Sequence, residues 1–181
     1  MNVAGVLLTG GQSSRMGRAK ATIVVDGEPL AARSARLLAA VCDPVIEAGP
    51  GFSALAAVLE HPRGEGPLAA FLAGVEALGP ADGYVLLACD LPRVDDLTLR
   101  LIADHPASGS VVPTVDGRKQ YACSRWSPTA VTSAGAAFAA GERAMRALLG
   151  AGDAVLVAAD DHAAALADAD TPQDLERLGL S

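Results

Sequence analysis

Val3-Ala4-Gly5-Val6-Leu7-Leu8-Thr9-Gly10-Gly11-Gln12-Ser13-Ser14-Arg15-Met16-Gly17-Arg18-Ala19-Lys20 is the stretch whose reading decides the fold. The apolar run over residues 3–8 reads as a buried strand. It ends in a glycine-rich loop that carries Arg15 and Lys20. Such a loop brings several backbone N–H groups close to a phosphate chain. Glycine suits it because no Cβ blocks the approach. The two cations add charge-assisted contacts to phosphate oxygens. Gly10-Gly11 alone would pass for an ordinary β–α turn; Ser13-Ser14-Arg15-Met16-Gly17 and Lys20 tip the reading toward phosphate. Neither GxxxxGK[ST] nor GxGxxG is present.

Working outward, residues 84–89 (YVLLAC) are apolar without alternation, which predicts a central parallel strand covered on both faces. Residues 28–41 predict a helix with Leu30, Ser34, Leu37, Leu38 and Val41 on one face. Val45-Ile46 is a short strand, followed by the turn Gly49-Pro50-Gly51. Residues 67–78 predict a helix with Pro67 in its first turn after Gly66. A helix over 95–104 follows. Strands over 110–113 and 120–125 flank a turn at Val115-Asp116-Gly117-Arg118. Then come a helix over 141–149 with Glu142 near its start, a strand over 154–157 and a helix over 172–178. The sum is α/β: a single domain over residues 1–181, a three-layer α/β/α sandwich with a mostly parallel sheet and a small β-hairpin insertion. Ligands of such sheets bind at the carboxyl ends of the strands. Both the glycine loop and Cys89-Asp90-Leu91-Pro92 lie at such ends.

Composition excludes several classes. With 51% apolar residues the chain can bury a core. Its net charge of −7 and lack of a basic cluster argue against nucleic acid. The lone Trp126 and 3% aromatic content offer no stacking platform for single strands. Cys42, Cys89 and Cys123 form no CxxC pair and read as core thiols, not a disulfide framework or zinc site. There is no signal peptide pattern and no apolar run long enough for a membrane span, so the expectation is a cytoplasmic protein. His61, His105 and His162 are scattered, with no Ser or Cys nucleophile paired to them.

The carboxylates carry the rest. Asp90 ends the strongest strand, where a carboxylate suits Mg²⁺, an ion that takes one or two carboxylates plus phosphate oxygens. Helix capping is the alternative, but Asp95 and Asp96 lie nearer that helix start. In Asp168-Ala169-Asp170-Thr171-Pro172, capping explains Thr171 and Pro172. It leaves Asp168 and Asp170 unexplained; on a strand they would point the same way, and the spacing leaves open whether they share a cation with Asp90. Gly66-Pro67-Leu68 either starts a helix or borders a nucleobase with its backbone.

Leu8-Thr9-Gly10-Gly11-x-Ser-Ser-Arg15-Met16-Gly17-x-x-Lys20-Ala21 resembles the signature of the MobA-like nucleotidyltransferases. Gly66-Pro67-Leu68, Cys89-Asp90-Leu91-Pro92, Gly141-Glu142-Arg143 and Asp170-Thr171-Pro172-x-Asp174-Leu175 recur in that family in the same order. The subfamily it most resembles is molybdenum cofactor guanylyltransferase. The resemblance implies a Rossmann-like nucleotidyltransferase fold and Mg²⁺-dependent transfer of GMP from GTP to molybdenum-loaded molybdopterin, with release of pyrophosphate. It implies Leu8, Thr9, Gly10, Gly11, Arg15, Lys20, His61, Gly66, Pro67, Leu68 and Asp90 at the nucleotide. Arg15, Lys20 and Asp90 would be catalytic, and Asp90, Asp168 and Asp170 would stand at the metal. It places Gln120 toward the pterin side and implies transient contact with molybdoenzyme maturation proteins, with no nucleic acid or membrane partner. The chain departs from the family pattern at Thr9 (usually Ala), Ala70 (often Gly), His61 (Asp in some members) and Glu47-Ala48, where the family has Asn. The alternatives are a cytidylyltransferase of the same family, a sugar-phosphate nucleotidyltransferase and a non-catalytic nucleotide-binding accessory protein.

Overall fold

The computed structural model describes residues 1–10 and 19–180. In chain order the elements are β1 (Val3–Leu8), β2 (Val24–Val25), β3 (Glu28–Pro29), α1 (Leu30–Ala39), β4 (Val45–Ala48), β5 (Ala57–Val58), α2 (Pro67–Leu78), β6 (Gly83–Ala88), α3 (Asp96–Ala103), β7 (Val111–Val115), β8 (Arg118–Lys119), β9 (Cys123–Trp126), α4 (Pro128–Ala139), β10 (Val155–Ala158) and α5 (Pro172–Arg177). The main sheet runs β10-β7-β9-β6-β1-β4-β5, with β8 on β7 and a separate β2-β3 hairpin. β6, β1, β4 and β5 are mutually parallel, whereas β9 runs antiparallel to both β6 and β7.

Two cores explain why the central strands show no alternation in sequence. On β1 and β6, Leu7, Val85 and Leu87 face one cluster with Leu38, Leu99 and Ile102 from α1 and α3. Val6, Leu8, Tyr84 and Leu86 face the other, with Leu68, Phe71 and Ala130 from α2 and α4. Successive residues point to opposite faces, and both faces are covered. The three cysteines are free and buried, and burial pushes each thiol up to about 12. Among the described residues no helix is long and apolar enough to cross a membrane.

β1 is the topological switch. The chain leaves it through α1 to β4 and β5 on one side, then returns through α2 to β6 on the other. A crevice therefore opens beyond its carboxyl end.

Several expected elements differ. The helix expected over 28–41 begins only at Leu30, because Glu28-Pro29 pairs with Val24-Val25 across Asp26-Gly27. The positive φ at both turn residues, 51° and 82°, is the type I′ geometry that an Asp-Gly pair favours. The second Asp-Gly turn, Asp116-Gly117, closes a tight pair, Val115 against Arg118. Of the strand expected over 120–125 only the second half forms, as β9, which wedges between β6 and β7; the short β8 precedes it at Arg118–Lys119. A helix over 128–139 was not expected; Ser127 caps it by accepting the Ala130 N–H, and Pro128 opens it. Residues 141–149 are not an α-helix: Glu142 accepts the N–H groups of Arg143 and Ala144, and a 3-10 segment, Met145–Ala151, follows. Residues 167–170 are not a strand.

Helix α2 lies against β1 at Gly74, where a Cβ would stand 2.6 Å from Val6 Cγ1. Gly135 in α4 has open space at the same position. Gly74→Ala should therefore destabilise by about 1 kcal/mol, an overpacking cost of about 1–3 exceeding a helix-propensity gain of about 1. Gly135→Ala keeps only the gain and should stabilise by about 0.5–1 kcal/mol. Urea midpoints moving the same way in both variants would show that packing on Val6 does not decide the sign.

Candidate active site

The end of β1 organises the site. Thr9 N–H bonds to Ala48 O (3.2 Å) on the β4 side. On the other side Leu8 pairs with Ala88, and Cys89 N–H bonds to Leu8 O (3.0 Å). The β6 chain thus delivers Asp90 beside the Thr9-Gly10 turn. Gly11 and Arg15 lie outside the described residues, as does the rest of the loop over 11–18.

On the β4 side lies a cavity of about 400 Å³, lined by Leu8, Gly10, Gly49, Pro50, Leu59, Glu60, Arg63, Gly64, Gly66, Pro67 and Ala70. Gly66 takes φ 95°, in the left-handed region, and turns the chain into α2, whose Pro67 and Ala70 line this mouth. Gly10, Gly66 and Pro67 therefore come together with Leu8. Leu68 does not line the cavity; its side chain is fully buried in the core. His61 lines a separate cavity with Ala69, Leu72, Glu76 and Phe138. Its neighbour Glu60 lines both cavities, with Oε1 accepting Gly64 N–H (3.0 Å).

On the β6 side is a charged cluster. Lys20 Nζ stands 3.4 Å from Asp90 Oδ2 and also hydrogen-bonds Asp170 Oδ1. The segment carrying Asp170 is tied to Asp90 by Ala169 N–H donating to Asp90 O (2.9 Å). Behind it, Asp174 Oδ2 accepts the N–H groups of Asp170 and Thr171, while Thr171 Oγ1 accepts Asp174 N–H. This capping box starts α5 and aims Asp170. Asp168 and Asp170 stand on an irregular segment and not a strand, near enough to act on the charge of Asp90. Burial pushes the Asp90 carboxyl up; Lys20 opposes that, and Asp168 and Asp170 add to it. Burial draws Lys20 down, but Asp170 and Asp90 outweigh it and leave the ammonium firmly protonated. His105 and His162 are engaged elsewhere, with Ala107 N–H and Thr98 Oγ1.

Sequence reasoning marked Glu47 as a departure where the family has Asn, but gave it no structural role. This carboxylate, at the end of β4, is wholly buried. Oε1 accepts Thr9 Oγ1 (2.5 Å), Gly51 N–H and Phe52 N–H (both 2.8 Å). Oε2 accepts Ser53 N–H (2.7 Å) and Ser53 Oγ (2.6 Å). The available signal was an acid in an apolar strand just before Gly49-Pro50-Gly51. Glu60 and Arg63 were also missed; both sit in a loop whose course the sequence pattern does not set.

A family model described as MobA-like NTP transferase domain matches residues 5–155. The chain is 38% identical to the molybdenum cofactor guanylyltransferase of Rhodobacter capsulatus, covering 98% of this chain and 95% of that one. It is 33% identical to a probable molybdenum cofactor guanylyltransferase of Mycobacterium avium, again over 98% and 95% of the two chains. Its fold is similar to that of molybdopterin-guanine dinucleotide biosynthesis protein A from Archaeoglobus fulgidus: TM-score 0.76, 18% identity, 97% of this chain and 96% of that one.

Burial raises the Glu47 carboxyl, but the hydroxyls of Ser53 and Thr9 and the backbone donors outweigh it and hold it below the ordinary glutamate range. A depressed carboxyl contributes stability above its unfolded value and loses it as pH falls toward the folded one. Glu47→Gln should thus lower stability at neutral pH by about 1.5–3 kcal/mol, with the gap to wild type shrinking by about pH 4. Denaturant titrations at the two pH values check this; a gap independent of pH would contradict it.

Proposed function

The chain belongs to the family of MobA-like NTP transferase domains, and on that premise we propose that it transfers GMP from GTP to the terminal phosphate of molybdenum-loaded molybdopterin, releasing pyrophosphate. The observation that carries this reading is the meeting, at the end of β1, of a nucleotide-sized cavity with the Lys20–Asp90–Asp170 cluster. Leu8, Gly10, Gly66 and Pro67 would border the base and ribose. Glu60 offers a carboxylate to the N1–H and N2–H₂ donors of guanine, a pair that adenine does not present.

An oxygen of the acceptor phosphate attacks the α-phosphorus. The new P–O bond forms as the bond from the α-phosphorus to its bridging oxygen breaks and pyrophosphate departs. A phosphate nucleophile is already anionic, so no side chain need remove a proton. The protein's task is positioning and charge stabilisation. Lys20, protonated and within reach of Asp90, places its ammonium where the phosphate chain would lie, with Gly11 and Arg15 proposed beside it.

The donor set fits Mg²⁺. Among the described residues no three His, Cys, Asp or Glu side chains could hold a metal by themselves. Mg²⁺ asks for less: one or two carboxylates, with the remaining positions filled by phosphate oxygens and water. Asp90, with Asp168 or Asp170, would hold it, and a dication there would relieve the crowding of carboxylates. When bound it supplies charge stabilisation to the phosphate oxygens. Buried free thiols agree with the reducing cytoplasm we propose for the chain, and product transfer would call for transient contact with molybdoenzyme maturation proteins.

Pyrophosphate release by the purified protein with Mg²⁺ and molybdenum-loaded molybdopterin, compared across GTP, CTP and ATP, tests the assignment. Release with GTP is expected; release with CTP alone would move the chain to the cytidylyl branch. Asp90→Asn should lower kcat by about 10²–10³-fold, and Lys20→Ala should raise the nucleotide KM or lower kcat. Turnover near wild type in Asp90→Asn would remove that residue from the reaction.

A further inference from the structure

Two departures from the family pattern, Thr9 and Glu47, touch each other: Thr9 Oγ1 donates to Glu47 Oε1 at 2.5 Å. They join three segments that are remote in sequence. Thr9 ends β1, Glu47 ends β4, and the same carboxylate gathers Gly51, Phe52 and Ser53 from the loop beyond. The fit is close. A Cβ on Gly49 would fall 2.0 Å from Thr9 Oγ1 and 3.0 Å from Gly10 N. The hydroxyl therefore occupies the space that a side chain at position 49 would need. On the far side of this knot, Gly10, Gly49 and Pro50 form one wall of the cavity described above.

Glu47 itself does not line that cavity and has no exposed surface. It receives five donors, and a carboxylate has about four lone-pair sites. Nothing remains with which to bind a nucleotide. We propose that Glu47, acting through Thr9 and the 51–53 loop, is a positioning residue that fixes the Gly10/Gly49-Pro50 wall and thereby sets nucleotide affinity and base discrimination. This rests on the reading that the cavity takes the nucleotide.

Chemistry indicates how the pair breaks. In Glu47→Gln the amide NH₂ replaces one oxygen and meets donors at either position: two N–H groups and the Thr9 hydroxyl at one, Ser53 N–H and its hydroxyl at the other. Thr9→Val keeps the shape but removes one donor, leaving the carboxylate bonded to the 51–53 loop. Thr9→Ser keeps the hydroxyl.

Direct titration of GTP and CTP, by calorimetry with Mg²⁺ and no acceptor, reads the effect separately from turnover. Thr9→Val and Glu47→Gln should each raise the GTP Kd by about tenfold and narrow the GTP-over-CTP preference. Thr9→Ser should stay within about twofold of wild type. The Thr9→Val/Glu47→Gln double variant should bind no worse than Glu47→Gln alone, because the two changes remove one shared interaction. Unchanged Kd values in folded variants would overturn the proposal, as would strictly additive losses. Should Glu47→Gln fail to fold, Thr9→Val and Thr9→Ser decide it. A wild-type protein that binds neither nucleotide would refute the function itself.

Discussion

The pairing of β1 with β6 is the contact on which the site depends. Val3 through Leu8 lie in register with Gly83 through Ala88, at the centre of the sheet and under helices on both faces. A strand so covered has no room for polar side chains along its length. Polar chemistry is confined to the point where it leaves the sheet. Because the two strands are parallel, they run out at the same end. The last bond between them, Cys89 N–H to Leu8 O, holds Asp90 beside the Thr9-Gly10 turn. The core thus fixes the separation of the Thr9-Gly10 backbone from the Asp90 carboxylate.

That placement creates an electrostatic problem. Asp90 is pressed between burial and two further acids, on a chain whose net charge is already −7. Lys20 meets two of these carboxylates at once. Among the described residues it is Lys20 that opposes the upward push on the Asp90 carboxyl, while Asp168 and Asp170 add to it. Acids gather on the β6 side, whereas the cavity on the β4 side is walled by glycines and proline with Glu60 and Arg63 at its loop. The glycines serve by absence, since a side chain at Gly49 would strike Thr9.

The elements that make this centre were legible in the sequence for a physical reason. Continuous apolar runs bounded by glycine or Asp-Pro-type breaks admit few readings, and Val3–Leu8 and the YVLLAC strand are such runs. The capping chemistry at Thr171 was equally plain. The same chemistry at Ser127-Pro128 and the Asp26-Gly27 turn was present but went unread, because alanine-rich and very short segments carry little periodicity. Residues 168–170 show the opposite case. Their segment is held to Asp90 by a backbone bond from Ala169 and by a capping box behind it, and no strand period encodes either. The same limit hid Glu60 and Arg63, whose place at the cavity follows from loop closure.

Thr9 and Glu47 show what a pairwise reading adds to a positional one. Taken singly, each departure from the family pattern weakens the nucleotide assignment, since each replaces a residue type expected at the site. Taken together they form one hydrogen bond inside a saturated carboxylate, and the weakening disappears. A buried carboxylate with a single donor would cost more in desolvation than it returned; with five it becomes a fixed point for three chain segments. The wall of the cavity is then held from behind, by groups the nucleotide never meets. Contacts to the base are free to come from main-chain edges and from Glu60. The wall formed by Gly10, Gly49 and Pro50 thus rests on a buried bond between the ends of β1 and β4.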